Sequence, residues 1–288
     1  MKKHLFIVLA ELLCLSAICP ANAHEIAAVL SSDSQYYVEA FNGFQNAIGY
    51  PVKSFTMQKA PVQISAATKV VVAFGGRASL LDYETAACIV SCMAPSVEIN
   101  DNRYYYISMS PRPGLLLSKL KLIQPALKRL AVFWTSESMK DYLRQIQQEA
   151  ALADITLTAV RLKNLNELPD HLRAMQGKTD AIFFPPDPLL VNAQTFETVR
   201  DFSAQNHIPF YAPTEALVEK GAVASVSSSF ENMGRSAAFI VDRLFNGKTV
   251  KQITYSDEVR LAINLKAAGL AGLKITPEML TNVDKVFP

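Results

Sequence analysis

Glycine is scarce in this chain, 11 of 288 residues, against a usual share of about 7%. The shortage argues against glycine-rich phosphate loops, and no GxGxxG, P-loop, GxSxG or HExxH pattern occurs. Histidine is rarer still, at four scattered residues, and cysteine is also four, too few for a disulfide scaffold. Neither sign of charge is in excess: Lys+Arg is 28 and Asp+Glu 26, a formal +2, which gives no electrostatic footprint for nucleic acid. Hydrophobic side chains are what the chain does have, half of all residues, with 19% charged. That is the composition of a chain with a packed core.

The first residues change this arithmetic. Lys2 and Lys3 precede an apolar run from Leu5 to Ile18, broken by Glu11 and Ser16, and Ala21-Asn22-Ala23 follows Pro20. A basic, an apolar and an A-x-A region in that order predict a secretory signal peptide over 1–23, cleaved after Ala23, and a periplasmic protein. A spanning helix needs about 20 apolar residues, and this run is shorter and carries Glu11. Cys19 is a poor lipidation site, because Ile18 precedes it where a small residue belongs. Cleavage leaves 265 residues, removes Lys2, Lys3 and Glu11 so that the formal charge falls by one, and leaves only Cys88 and Cys92. The segment Cys88-Ile-Val-Ser-Cys92-Met reads as a buried strand. Its two cysteines would lie about 13 Å apart, beyond disulfide reach, whereas on a helix they would be close enough. Two reduced, buried thiols are predicted, and no histidine lies nearby to make a metal site.

Beyond residue 25, apolar runs alternate with helical stripes. Ile26–Leu30, Val70–Phe74, Leu130–Trp134, Asp180–Phe184, Ile208–Tyr211 and Ala222–Val226 read as strands. Tyr37, Phe41, Phe44 and Ile48 form one helical stripe, stopped by Gly49-Tyr-Pro51; Met139, Tyr142, Leu143 and Ile146 form a second. Asp187 is predicted to cap a helix with Pro188 in its first turn, continued by Ala193, Phe196, Val199 and Phe202. Ser228 to Phe230, with Glu231 three residues after Ser228, read as a capping box for a helix through Met233, Ala237, Val241 and Leu244 that ends at Asn246-Gly247. Repeated strand–loop–helix units predict an α/β fold: parallel sheets covered by helices on both faces, in two units of about 100 to 150 residues. Ligands in such folds bind outside the carboxyl ends of the strands.

A catalytic site is not visible. His171 and His207 sit in polar surroundings, Gly75-Gly76 reads as a tight turn, and Asp33 and Asp187 stand where helix caps belong. No cofactor is implied.

The stretches Asp180-Ala-Ile-Phe-Phe-Pro-Pro-Asp-Pro, His207-Ile-Pro-Phe-Tyr-Ala-Pro-Thr-Glu, Lys220-Gly-Ala-Val-Ala-Ser, Asn232-Met-Gly-Arg-Ser-Ala-Ala and Arg260-Leu-Ala-Ile-Asn-Leu-Lys-Ala-Ala carry a resemblance. Over nearly all of residues 25 to 288 the chain resembles the substrate-binding proteins of ABC transporters, in the periplasmic-binding type I group related to aromatic amino-acid binders. It departs from the family between the lobes, where an aspartate-proline step and an asparagine-threonine-glycine run are common and Ala94-Pro-Ser-Val-Glu-Ile-Asn-Asp-Asn-Arg-Tyr-Tyr-Tyr stands here. The resemblance implies two doubly wound lobes joined by a three-crossover hinge: 24–110 plus 228–257, and 111–227 plus 258–288, with Glu258 to Asn264 as the last strand. It also implies a small-molecule ligand clamped between the lobes, a monomer, no nucleic acid, and an ABC permease as partner. A membrane sensor protein is the alternative partner, and a secreted hydrolase the alternative activity.

In such a cleft Ser31, Ser32, Thr135, Thr214 and Ser228 stand at helix starts that offer donors to a carboxylate. Asp33 or Asp187 is a candidate for an ammonium group, and Gly76 and Arg77 for an anion. Tyr36, off the apolar stripe of its helix, is a candidate for stacking. Trp134 at a strand end reads equally as a stacking ring or as core; in the first case its fluorescence changes when ligand binds. Arg77 reads first as a solvated first-turn residue and only second as a ligand contact, and the hydroxyls read first as caps.

Overall fold

The computed structural model describes residues 25–59, 61–95, 97 and 99–288. The predicted signal peptide, with Cys14 and Cys19, lies outside the described residues. The chain first runs through β1 (Glu25–Leu30), α1 (Gln35–Ala47), β2 (Val52–Thr56), β3 (Thr68–Phe74), α2 (Gly76–Ser79), β4 (Cys88–Cys92) and β5 (Tyr104–Ser108). It continues through α3 (Pro113–Ile123), β6 (Arg129–Trp134), α4 (Lys140–Leu152), β7 (Thr156–Arg161), α5 (Leu168–Met175), β8 (Ala181–Phe183), α6 (Ala193–Asn206), β9 (Phe210–Ala212), α7 (Glu215–Glu219) and β10 (Ala224–Ser227). Then come α8 (Phe230–Phe245), β11 (Ile253–Tyr255), β12 (Arg260–Asn264), α9 (Leu265–Leu270), α10 (Pro277–Leu280) and β13 (Lys285–Phe287).

These strands form two sheets, ordered β11-β5-β4-β3-β1-β2 and β13-β12-β10-β9-β8-β6-β7. Each sheet with its covering segments forms one lobe. The chain passes between the sheets three times: from β5 to α3, from β10 to α8, and from β11 to β12. Every pairing in the first sheet is parallel. The second departs from the expected all-parallel pattern, because β12 enters from the third crossover and runs antiparallel to β10. Nor is β12 the last strand, since β13 pairs alongside it in parallel.

Burial on both faces explains why the central strands read as unbroken apolar runs. In β3, Val70, Val72 and Phe74 join the core under α1 and α8, while Val71 and Ala73 face the opposite cluster with Tyr83, Ile89 and Tyr104. In the second lobe Leu130 and Val132 pack with α3 and α4, and Ala131 and Phe133 with α5 and α6. Cys88 and Cys92 are free, on β4 as expected, but only Cys92 is fully buried; Cys88 is half-buried, and burial pushes both thiols up.

Helices α1 and α8 cross at small residues. A Cβ on Gly234 would overlap the Ala40 carbonyl oxygen and lie 2.7 Å from the Phe44 nitrogen; one on Gly43 would overlap the Glu231 carbonyl oxygen and lie 2.8 Å from its carbon. The two backbones therefore touch, which anchors α8 to the first lobe directly after the second crossover. Gly75 holds φ at +99°, with no room for a side chain between Ser31 and Tyr37, so the predicted turn after β3 requires glycine there.

Three helix starts differ from expectation. Helix α1 is entered from Ser34, not Asp33, and has no side-chain cap. Helix α6 begins at Ala193, not at Pro188: Asn192 accepts from the Thr195 N–H at 3.0 Å and Thr195 Oγ1 accepts from the Asn192 N–H at 3.3 Å, a reciprocal cap. Helix α8 is capped by Ser229, which accepts from the Asn232 N–H at 3.1 Å, one residue beyond Ser228.

Candidate ligand-binding cleft

Between the lobes lies a cavity of about 640 Å³. Its first-lobe wall is the opening of α1, with Gln35, Tyr36 and Glu39. The first two crossovers contribute Met109 and Ser227–Phe230. The second-lobe wall is Pro213, Thr214 and Glu215 ahead of and within α7, together with Arg260. Polypeptide from both lobes and from two of their links thus meets in one space.

Helical geometry places Tyr36. The stripe Tyr37, Ala40, Phe41 and Phe44 turns toward the sheet, which leaves Tyr36 53% exposed. Its ring tilts at 54° against Phe230, centroids 5.2 Å apart, so that an aromatic pair stands at the cavity wall. Glu39, three residues on, shares that face of the helix, and it forms no ion pair with a described residue. Thr214 holds the N-cap position of α7 with extended backbone, but its hydroxyl makes no capping bond. Ser228 is buried, its hydroxyl 3.4 Å from the Ser229 carbonyl oxygen to which it donates. Arg260 and Glu215 face each other at 3.8 Å. The cavity therefore offers an aromatic surface, hydroxyl groups and charges of both signs.

Of the residues singled out in the sequence, Tyr36, Thr214 and Ser228 line this space. The others do not line it. Ser31 is buried at the end of β1, where its hydroxyl accepts from the Ala78 N–H at 2.9 Å. Ser32 Oγ accepts from the Ser34 N–H at 3.3 Å. Asp33 is exposed, 3.9 Å from Lys59. Gly76 is half-buried beside Val97, and Arg77 is exposed. Trp134 is half-buried against the second-lobe core, with the Arg161 guanidinium 4.9 Å above its ring.

Thr135 and Asp187 turn out to be partners of each other. The wholly buried Asp187 carboxylate accepts from the Thr135 and Ser136 N–H groups, each at 2.7 Å, from Ser136 Oγ at 2.5 Å and from the Leu189 N–H at 3.1 Å. Asp187 is therefore not a helix cap. It ties the loop after β6 to the loop after β8, and its oxygens are saturated by its own lobe.

Sequence reasoning missed Glu39, Phe230 and Arg260. The i, i+3 spacing from Tyr36 was a signal for Glu39; Arg260 comes to the site through a strand pairing with no local signature. Among the described residues no group of His, Cys, Asp and Glu is arranged to hold a metal, and no helix is long and apolar enough to cross a membrane.

The model of the family described as ABC transporter substrate binding protein matches residues 116–287. The tyrosine-binding protein of Clostridioides difficile is 27% identical over 159 residues, 51% of this chain and 44% of that protein. An uncharacterized protein of Rickettsia prowazekii is 24% identical over 138 residues, 47% of this chain and 45% of that protein. The chain thus aligns with less than half the length of these curated relatives. Among solved structures, a ligand-free, open substrate-binding protein with adhesive properties from Clostridium difficile superposes with a TM-score of 0.66 at 16% identity, covering 92% of this chain and 99% of that one. An ABC domain in complex with L-Trp from Streptococcus pneumoniae gives 0.61 at 18% identity, over 91% and 100%. These likenesses show the fold.

Proposed function

The chain belongs to the ABC transporter substrate-binding protein family, and from that membership we propose that it is an exported receptor that closes its lobes around a small molecule and delivers it to an ABC importer. The fold is of the periplasmic-binding type I kind. The observation that carries the proposal is the cavity of about 640 Å³ walled by both lobes and by the crossovers between them. Its volume falls within the range of about 300–1,000 Å³ usual for small-molecule sites. The moving bodies are 24–110 plus 228–257 and 111–227 plus 258–288, closing by rotation about the three links.

Tyr36 and Phe230 offer a flat apolar body one wall to lie on, Glu39 answers a ligand ammonium, and Thr214, Ser228 and Arg260 answer a carboxylate. That pattern, with the tyrosine-binding relative, makes aromatic amino acids the first ligands to test. The periplasm as location rests on the sequence of residues 1–23 together with the family.

A melting screen of the purified protein against amino acids, nucleosides and sugars tests the reading. A ligand at a hundred times its Kd adds about 2.7 kcal/mol, or about 5–10 °C in Tm for a chain of this size. No shift with any compound, alongside turnover of one of them, would sink the receptor reading in favour of a hydrolase.

A further inference from the structure

Two other cavities, of about 330 and 680 Å³, share Arg112, Phe239, Thr254 and Tyr255 and so form one groove. None of its lining residues lines the cleft. One wall is first lobe: Arg235, Phe239 and Arg243, at i, i+4 and i+8 along α8, with β11 beside them. The other wall is second lobe: the start of α3 at Pro113–Leu115, and Gln145 and Glu149 of α4.

The groove has a defined chemistry. Its larger chamber presents Arg112, Arg243 and Lys251 against a single carboxylate, Glu149. Glu149 is turned to the first turn of α3, where a Cβ on Gly114 would stand 2.8 Å from Oε2. Arg112 is paired with Asp257 at 2.5 Å. The Arg243 guanidinium lies 5.6 Å over the Phe239 ring and donates to the Thr249 carbonyl oxygen at 2.9 Å. Lys251 forms no ion pair with a described residue. Phe239 leaves 58% of its surface in water. Across the gap, the Tyr255 hydroxyl donates to Gln145 Oε1 at 3.0 Å, joining the two walls.

We propose that this groove is a second binding site, separate from the cleft, for a small molecule that joins a flat apolar body to an anionic group such as a carboxylate, sulfonate or phosphate. The body lies against Phe239 and Tyr255, and the anion faces Arg243 and Lys251. The walls belong to different lobes, so an occupant bridges them and opposes their rotation about the crossovers.

The dye 8-anilinonaphthalene-1-sulfonate has this chemistry and brightens on leaving water. Titrated into the purified protein, it should give one saturable site. Its Kd should rise at least about tenfold in the Arg243→Gln/Lys251→Gln double variant and in Phe239→Ser, and should stay unchanged in Tyr36→Ala. Hydrogen exchange should slow over 239–255 and 112–115 when dye is bound. Equal affinity in the groove variants, or loss of binding in Tyr36→Ala, would overturn the proposal. So would protection confined to 35–39 and 213–219, which would put the dye in the cleft. Phe239 and Lys251 are exposed and Arg243 is half-buried, so the variants should keep the wild-type Tm, and that is the control for folding.

Discussion

Replacing Gly234 by alanine sets two effects against each other. In an isolated helix the change is favourable by about 1 kcal/mol, because alanine loses less backbone freedom. In this protein the new methyl group meets the backbone of α1. It overlaps the Ala40 carbonyl oxygen and stands 2.7 Å from the Phe44 nitrogen, where 3.4–4 Å is ordinary contact. Neither obstacle is a side chain that can swing aside, so the helices must separate by roughly 1 Å, and a gap of that size forfeits up to about half of each contact it opens. Overpacking of a tight interior costs about 1–3 kcal/mol, and unyielding backbone puts this site at the upper end. After the propensity gain the net loss is about 2 kcal/mol, or about 4–8 °C in Tm. Gly43→Ala should behave alike. The double variant should lose less than the two singles together, since helices already parted by one methyl group admit the second. Urea denaturation and thermal melting measure all three. A Gly234→Ala protein as stable as the wild type, or more so, would refute the reasoning, because propensity alone would then account for the result. The link to function is direct: Phe230 opens α8 and lines the cleft, so a displaced α8 should also weaken ligand binding.

Asp187→Ala leaves the Thr135 and Ser136 N–H groups and the Ser136 hydroxyl without an acceptor; at about 1–3 kcal/mol per buried donor the loss should reach about 3–5 kcal/mol by urea denaturation. Wild-type stability with ligand binding abolished would instead make Asp187 a ligand-facing carboxylate. Tyr36→Ala should leave Tm within about 2 °C, because the ring is mostly exposed, yet weaken binding of the cleft ligand about tenfold in calorimetry; unchanged affinity would remove Tyr36 from the site. Burial pushes the Asp180 carboxyl up, but bonds from the Arg129 side chain and from the Lys128 and Arg129 N–H groups outweigh it and hold it below the usual carboxylate range. Asp180 therefore stabilises the fold above its unfolded pKa of about 3.9, and that stability is lost as pH falls through the lower folded value; Asp180→Asn should flatten stability against pH in that window, and an unchanged slope would count against it. Cys88 should react slowly with a thiol reagent in the native protein and Cys92 only on unfolding, with Tm indifferent to dithiothreitol; two thiol equivalents too few after unfolding would reveal a bridge.

Much of the fold is legible in the sequence. Strands β1, β3 and β6 are buried on both faces along most of their length, so their side chains there had to be apolar, and that shows in a single sequence. Strands β2 and β7 lie at sheet edges and expose much of their length, so their residues carry no such demand and went unread. Of the site, Tyr36 was legible because it breaks the stripe that its neighbours keep. Trp134 was not, because a ring at a strand end packs equally well on core or on ligand; it sits under Arg161 and does not line the cavity, so its emission is not expected to follow ligand binding.

Period and capping chemistry act over a few residues, so the chain alone announces an α/β protein with helices that start and stop roughly where they do. Side-chain competition for the same partner acts over the whole fold. Asp187 had good local grounds to cap a helix at Pro188, but a neighbouring loop offered its carboxylate two backbone N–H groups and a hydroxyl in a dry interior, and Asn192 with Thr195 took the helix start instead. Arg260 reached the cleft because β12 pairs antiparallel with β10, which sets Arg260 opposite Ser227. Such pairings depend on which surfaces bury best against each other once the chain has closed on itself, and no local pattern encodes that choice.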